Sequence, residues 1–181
     1  MNNILSKYEK GNVLLIVAIF LPVVLGLLAL ILNVGTMYYA KSAYTSIADT
    51  STASGLSILG DEIVKIIEEK IDEDPFFEPD DDVWDNLNDD DRKKLTENPD
   101  IVNNIEASVE EYLQKNITAE SVMRNDFVIK DINIEYPYNY NLSDSSVKVH
   151  LEFRIRAPIH FVKAMNNKDI LVKAESQLRI K

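Results

Sequence analysis

His150 and Glu152 stand two residues apart in a stretch that alternates apolar and polar residues. In an extended chain they share one face, and an imidazole beside a carboxylate is half of a metal site. The other members of that face are Lys148, Arg154 and Arg156, which repel a metal ion, so an ordinary wet strand face is the simpler reading. His160 is the only other histidine. A second candidate is the acidic run from Asp72 to Asp100, "DEDPFFEPDDDVWDNLNDDDRKKLTENPD", with thirteen carboxylates against three bases. Clustered carboxylates suit calcium, but an EF-hand loop needs alternating oxygen ligands, a glycine at its sixth place and a glutamate at its twelfth. No frame of this run supplies them. Its composition suits a solvated insertion pinned by Phe76, Phe77 and Trp84 and punctuated by Pro75, Pro79 and Pro99. The chain has no cysteine, which excludes a thiol nucleophile, a disulfide framework and a Cys-ligated zinc site. Neither Gly-x-Ser-x-Gly, nor His-Glu-x-x-His, nor a glycine-rich phosphate loop occurs. The expectation is a non-enzyme with no catalytic residue, no metal, no cofactor and no small-molecule substrate.

The net charge of −11 resides almost wholly in the acidic run. Elsewhere the chain is near neutral, so neither nucleic acid nor an anionic membrane surface is expected to find a basic patch on it.

A different chemistry is written near the N-terminus. Between Lys10 and Lys41 there is no charged residue, and Val13 to Leu32 is almost purely Val, Ile, Leu, Ala and Phe. About 20 such residues at 1.5 Å each cross a hydrocarbon core of ~30 Å. A cleaved signal would have a shorter apolar core of about 7–15 residues. Pro22 and Gly26 fit a membrane helix, where both residues are more frequent than in soluble ones. The sequence therefore predicts a leader over 1–11, a transmembrane helix over 12–35 and the lipid bilayer as partner. Lys7 and Lys10 place the leader in the cytoplasm by the positive-inside tendency, leaving everything after Lys41 outside a single-pass anchor.

Beyond the span, Ala40, Ala43, Ile47 and Ala48 recur at three- and four-residue steps, a helical stripe of small residues. Small stripes let helices approach closely. This one either lies on its own domain or forms a surface on which other copies pack; periodicity favours the former. The stretch 36–71 is expected as an extracytoplasmic helical stalk.

Certain residues of this region occur in a distinctive order: Gly11 after a short charged leader, "AIFLP" ending at Pro22, Leu25 and Gly26, "NVG" from Asn33 to Gly35, "YYA" ending at Ala40, and "IADTSTASG" from Ile47 through Asp49 to Gly55. The segment resembles the N-terminal part of the TadG-like and TadE-like proteins of tight-adherence (Flp) pilus machines. The resemblance implies a pilus-assembly role, with pilin or other assembly membrane proteins as partners. It also implies Pro22, Gly26, Asn33, Gly35, Ala40 and Asp49 as a membrane and helix-packing motif, and Gly11–Asn12 as a processing point. The family often has aspartate where this chain has Asn33. TadE-like members carry a glutamate five residues after the processing glycine; here that place is Ile16, which favours the unprocessed TadG-like form. Larger TadG-like proteins have a von Willebrand-type metal site of Asp-x-Ser-x-Ser. The closest text here, "DSSVK" from Asp144, has the wrong spacing.

The remainder reads as one α+β head over 101–181, preceded by the acidic loop over 72–100. Asp61 suits the N-cap of a helix whose stripe is Ile63, Ile66, Ile67 and Ile71. Asp100 opens another, with Val102, Ile105, Val109, Tyr112, Leu113 and Ile117 on one face. Val147 to Ile155 alternates cleanly, as does Ile170 to Ile180, and these read as half-buried strands. Phe127 and Ile129 share one phase while Ile132, Ile134 and Tyr136 share the other, which predicts a bulge or bend near Asp131. The expected fold is a long N-terminal transmembrane helix continuing as a stalk, then a small head with two helices on an antiparallel sheet of about three strands. The expected function is a membrane-anchored component of a Flp-type pilus system. The alternative is a tethered extracytoplasmic ligand-binding or sensory domain unrelated to pili.

Overall fold

The computed structural model describes residues 2–74, 87–121, 128–141, 144, 146–156 and 169–178, with backbone alone for 2–12 and 119–121. Pro75, Phe76, Phe77, Pro79, Trp84, Phe127, His160 and Ile180 lie outside the described residues.

The first helix, α1, runs without interruption from Asn2 to Glu73. Its 72 residues make a rod of about 108 Å at 1.5 Å per residue. Pro22 is its only proline, and the rod ends just before Pro75, as a proline disfavours helix in the residue preceding it. Asp61 therefore caps nothing. A single good N-cap residue does not stop a helix whose residues on both sides are helix-compatible, and the apolar stripe from Ile63 to Ile66 simply continues the buried face of α1. Ile71, counted in that stripe, is exposed.

A short helix α2, Asp89–Glu97, occupies part of the acidic run read as a loop. Asn88 and Asp91 close a capping box around its first turn: the Asn88 side chain accepts from the Asp91 N–H, and the Asp91 carboxylate accepts from the Asn88 N–H. Asp89, Asp90 and Asp91 at its positive end stabilise it further. The third helix, α3, spans Pro99–Ser121, with proline at the first helical position and the Asn98 side chain accepting from the Asp100 N–H at 2.9 Å. Ile105, Val109 and Leu113 of its predicted stripe are wholly buried, whereas Tyr112 is exposed.

Three strands, β1 (Val128–Glu135), β2 (Val147–Arg156) and β3 (Asp169–Leu178), form an antiparallel sheet in chain order. Pairing of β1 with β2 shifts between Lys130 and Asn133, and Asp131 adopts φ 53°, the left-handed conformation at a bulge. The bulge stands where the change of apolar phase placed it. Val147, Val149, Leu151, Phe153 and Ile155 of β2, with Val172 and Ala174 of β3, turn inward against α1 and α3. At the far end of this two-layer core the Tyr136 hydroxyl donates to the Leu95 carbonyl at 3.1 Å, fastening α2 to the sheet. Burial pushes that phenol up well beyond the ordinary tyrosine range.

Residues 36–71 are consequently no free stalk. Ala40, Tyr44, Ala48, Leu56, Leu59, Ile63 and Ile66 belong to the same core as the strands, so the head lies alongside α1.

Candidate functional site

The segment from Asn33 to Gly55 shows why its small and hydroxylated residues recur. Ala48 and Ser51 are fully buried and Ala40 nearly so, which lets the sheet and α3 close onto the α1 backbone. Tyr44 meets Phe153 edge to face at 6.3 Å. The hydroxyls satisfy themselves within α1: Ser51 donates to the Ile47 carbonyl and Thr50 to the Ser46 carbonyl, both at 2.8 Å. Two of them also reach the head. Thr52 Oγ1 lies 2.6 Å from Ser176 Oγ on β3, and Ser54 Oγ lies 3.3 Å from Ser108 Oγ on α3. At Gly55 a Cβ would stand 2.6 Å from Val109 Cγ2, so only glycine admits α3 at this depth. The stripe is thus covered from within the same chain, and Ala40 packs on its own head.

The other singled-out residues divide. Asn33 is buried on the head-facing side and its Nδ2 has no hydrogen-bond partner. Gly26 and Gly35 face open space, and Asp49 is exposed. Pro22 lies inside α1, and the backbone is helical through Gly11 and Asn12, whose side chains lie outside the described residues. Along the same turns, Tyr38, Lys41, Ser42, Thr45, Ser46 and Asp49 line a shallow open groove, with Lys41 and Thr45 on its head-side edge and Tyr38, Ser42, Ser46 and Asp49 turned away from the head. Val13 to Leu32 exposes its large apolar side chains all round; mean hydropathy reaches 3.2 with none of the window buried, which makes α1 long and apolar enough to cross a bilayer.

His150 corrects the wet-face expectation. It is 5% exposed, because the turn after β1 folds back over the outer face of the sheet and stacks the Tyr138 ring on the imidazole at 4.3 Å. The Tyr138 N–H donates to the Lys148 carbonyl at 3.0 Å and holds that turn down. Glu152 approaches His150 Nε2 at 3.8 Å and Glu175 approaches Nδ1 at 3.3 Å. The two carboxylates flank opposite ring nitrogens and do not converge on one point. Among the described residues no group of three or more His, Cys, Asp or Glu is placed to hold a metal ion. Alternation alone could not reveal a covering turn.

The neighbouring ion pairs give a pH signature. Lys173, hydrogen bonded to Glu152 at 2.7 Å, holds that carboxyl below the ordinary carboxylate range, and Arg156 does the same for Asp169 at 3.0 Å. Because the folded values are depressed, the stability these pairs contribute is present above the unfolded carboxylate pKa of about 4 and lost as pH falls through the folded values. A Glu152→Gln, Asp169→Asn variant should therefore lose less of its stability on acidification than the parent does. Melting temperatures taken from neutral pH down to acid check this, and parallel curves would refute it.

Comparison with known proteins adds one finding. No curated protein and no solved structure matches the chain. Residues 11–55 match the Tad family model, described as Flp pilus-assembly TadE/G-like. That span begins at the glycine after the leader and ends at the glycine that seats α3, so the apolar helix and the stretch that docks the head together make up the segment that is similar to the TadE/G-like proteins of Flp pilus assembly.

Proposed function

We propose that this chain is a membrane-anchored, non-enzymatic component of a Flp-type pilus assembly system. Residues 12–35 cross the bilayer, the N-terminus lies in the cytoplasm and the head lies outside. The outward face of α1 packs against helices of pilin or of the assembly platform. The match over residues 11–55 carries the reading. The outward groove supports it, since Tyr38, Ser42, Ser46 and Asp49 remain uncovered while the opposite face of the same turns is committed to the head. The unprocessed TadG-like form is favoured because Ile16 cannot supply the acid that a processed spine would use.

A membrane-tethered binding or sensory domain is the second reading. It is favoured by the internal use of the small-residue stripe, which leaves that stripe no partner to recruit. Scrambling 33–55 cannot separate the two, because it would dismantle the core. Substitution confined to the outward face can: Tyr38→Ala with Asp49→Ala should leave the melting temperature of the head unchanged. Co-purification with pilin should fall about tenfold, the loss of ~1.4 kcal/mol at an interface anchor. Unchanged recovery and unchanged piliation would favour the tether.

A further inference from the structure

We infer that the end of the sheet nearest the apolar segment is a docking surface for anionic phospholipid headgroups. The inference rests on the reading of 12–35 as a membrane span. Its first support is the absence of a spacer. On the head-facing side of α1 burial begins at Asn33, one residue after the apolar run ends at Leu32, and continues at Ala40 and Tyr44.

The contacts fix which end of the sheet faces the bilayer. Thr52 meets Ser176, and eight residues lower Tyr44 meets Phe153, whose partner across the ladder is Val172. Descending further, β2 ends at Arg156 and β3 begins at Asp169, its partner. Three residues of strand at about 3.3 Å cover the same height as some six or seven residues of helix at 1.5 Å, which sets Arg156 near the level of Tyr38. Tyr38 stands about 9 Å above Leu32, just beyond a headgroup layer of roughly 5–8 Å and within reach of an arginine side chain.

The chemistry of this end suits the location. Lys130 and Arg154 are partners across the β1–β2 ladder, and like charges directly opposite destabilise a sheet unless an anion relieves them. Asp131 answers Arg154 only at 3.7 Å with both side chains more than half exposed, and Asp169 is engaged by Arg156 at 3.0 Å. The described bases at this end of the sheet, Lys130, Arg154 and Arg156, are three against two acids. Val128 and Leu171 expose their aliphatic side chains at the same end, and Tyr38 is 77% exposed. Lys130, Arg154 and Leu171 stand two strand residues, about 7 Å, above Arg156 and Val128, so bases and aliphatic groups form a band from the height of Tyr38 upward, the composition of a bilayer interface. The acids of α2 and of the last turns of α1 gather at the opposite end, so only this orientation avoids repulsion from an anionic surface.

A single introduced cysteine reports docking cleanly, because the chain has none of its own. Full-length protein labelled with a polarity-sensitive dye at Val128→Cys, and separately at Glu135→Cys on the far end of the same strand, is reconstituted into vesicles of phosphatidylcholine with or without roughly one third phosphatidylglycerol. The anionic lipid should shift the Val128 reporter to the blue and leave the Glu135 reporter unmoved, and high salt should reverse the shift. Lys130→Gln with Arg154→Gln should lower the ratio of docked to undocked heads about 30-fold, some fivefold per base. A chain that resists alkaline extraction yet gives one spectrum in both lipids, or whose shift survives the double substitution, overturns the docking alone. A chain that alkali extracts overturns the span and the docking with it.

Discussion

Phe153→Ala will lower the unfolding free energy of the head by about 3–5 kcal/mol, the cost of emptying a large aromatic site in a packed core. Phe153 is wholly buried at the middle of the central strand, paired with Val172 on β3 and facing α1. Its edge contact with Tyr44 adds about 0.5–1.5 kcal/mol beyond area burial. The cavity opens between helix and sheet, so the head also loosens from α1. Urea unfolding of the full chain in detergent, followed by circular dichroism, measures the loss. The adjacent Arg154→Ala, on the exposed face, should stay within about 0.5 kcal/mol of the parent. A loss at Phe153 no greater than at Arg154 would mean that the helix and sheet do not share this core.

Alanine at Gly55 and alanine at Gly60 should move stability in opposite directions. Both glycines sit in α1, where alanine is favoured by about 1 kcal/mol. Gly60 has nothing within 4 Å of the added methyl and should keep most of that gain. At Gly55 the methyl meets Val109 Cγ2 at 2.6 Å and Ile105 Cγ2 at 3.2 Å, both on fully buried residues. β-Branched residues in a helix hold one χ1 rotamer, so they cannot swing aside and α3 must retreat. Overpacking costs about 1–3 kcal/mol, which exceeds the propensity gain and leaves a net loss of up to ~2 kcal/mol. Gly55→Leu should cost more still. Melting temperatures of the two alanine variants in one detergent decide the matter, and a shift of the same sign in both would show that α3 does not seat at Gly55.

These two sites mark the boundary of what was legible. The alternation from Val147 to Ile155 fixes a strand buried on one face, because its period of two admits no other regular structure. The change of phase between Ile129 and Ile132 likewise located the bulge at Asp131, since one extra residue is what reverses a face. Helix α2 stayed hidden because its nine residues are mostly charged, and its stability comes from capping and from contact with Tyr136.

The stripe from Ala40 to Gly55 and the burial of His150 lay beyond local pattern. Periodicity reports that a face is covered but carries no information on what covers it. The Ser176 and Ser108 hydroxyls that meet α1 are 124 and 54 residues away in the chain from their partners. The turn that covers His150 likewise lies on another element.

By itself the sequence determined the apolar helix, the TadE/G-like segment, the sheet and the bulge, because each depends on residue types at short spacing. Only the tertiary structure decided that α1 is one rod from Asn2 to Glu73, that the head lies along it from Asn33 upward, and that Tyr38 and Asp49 line a groove the head leaves open. Those outcomes depend on which distant surfaces bury the most apolar area at the least cost in unpaired polar groups, and that competition is settled only when the whole chain packs.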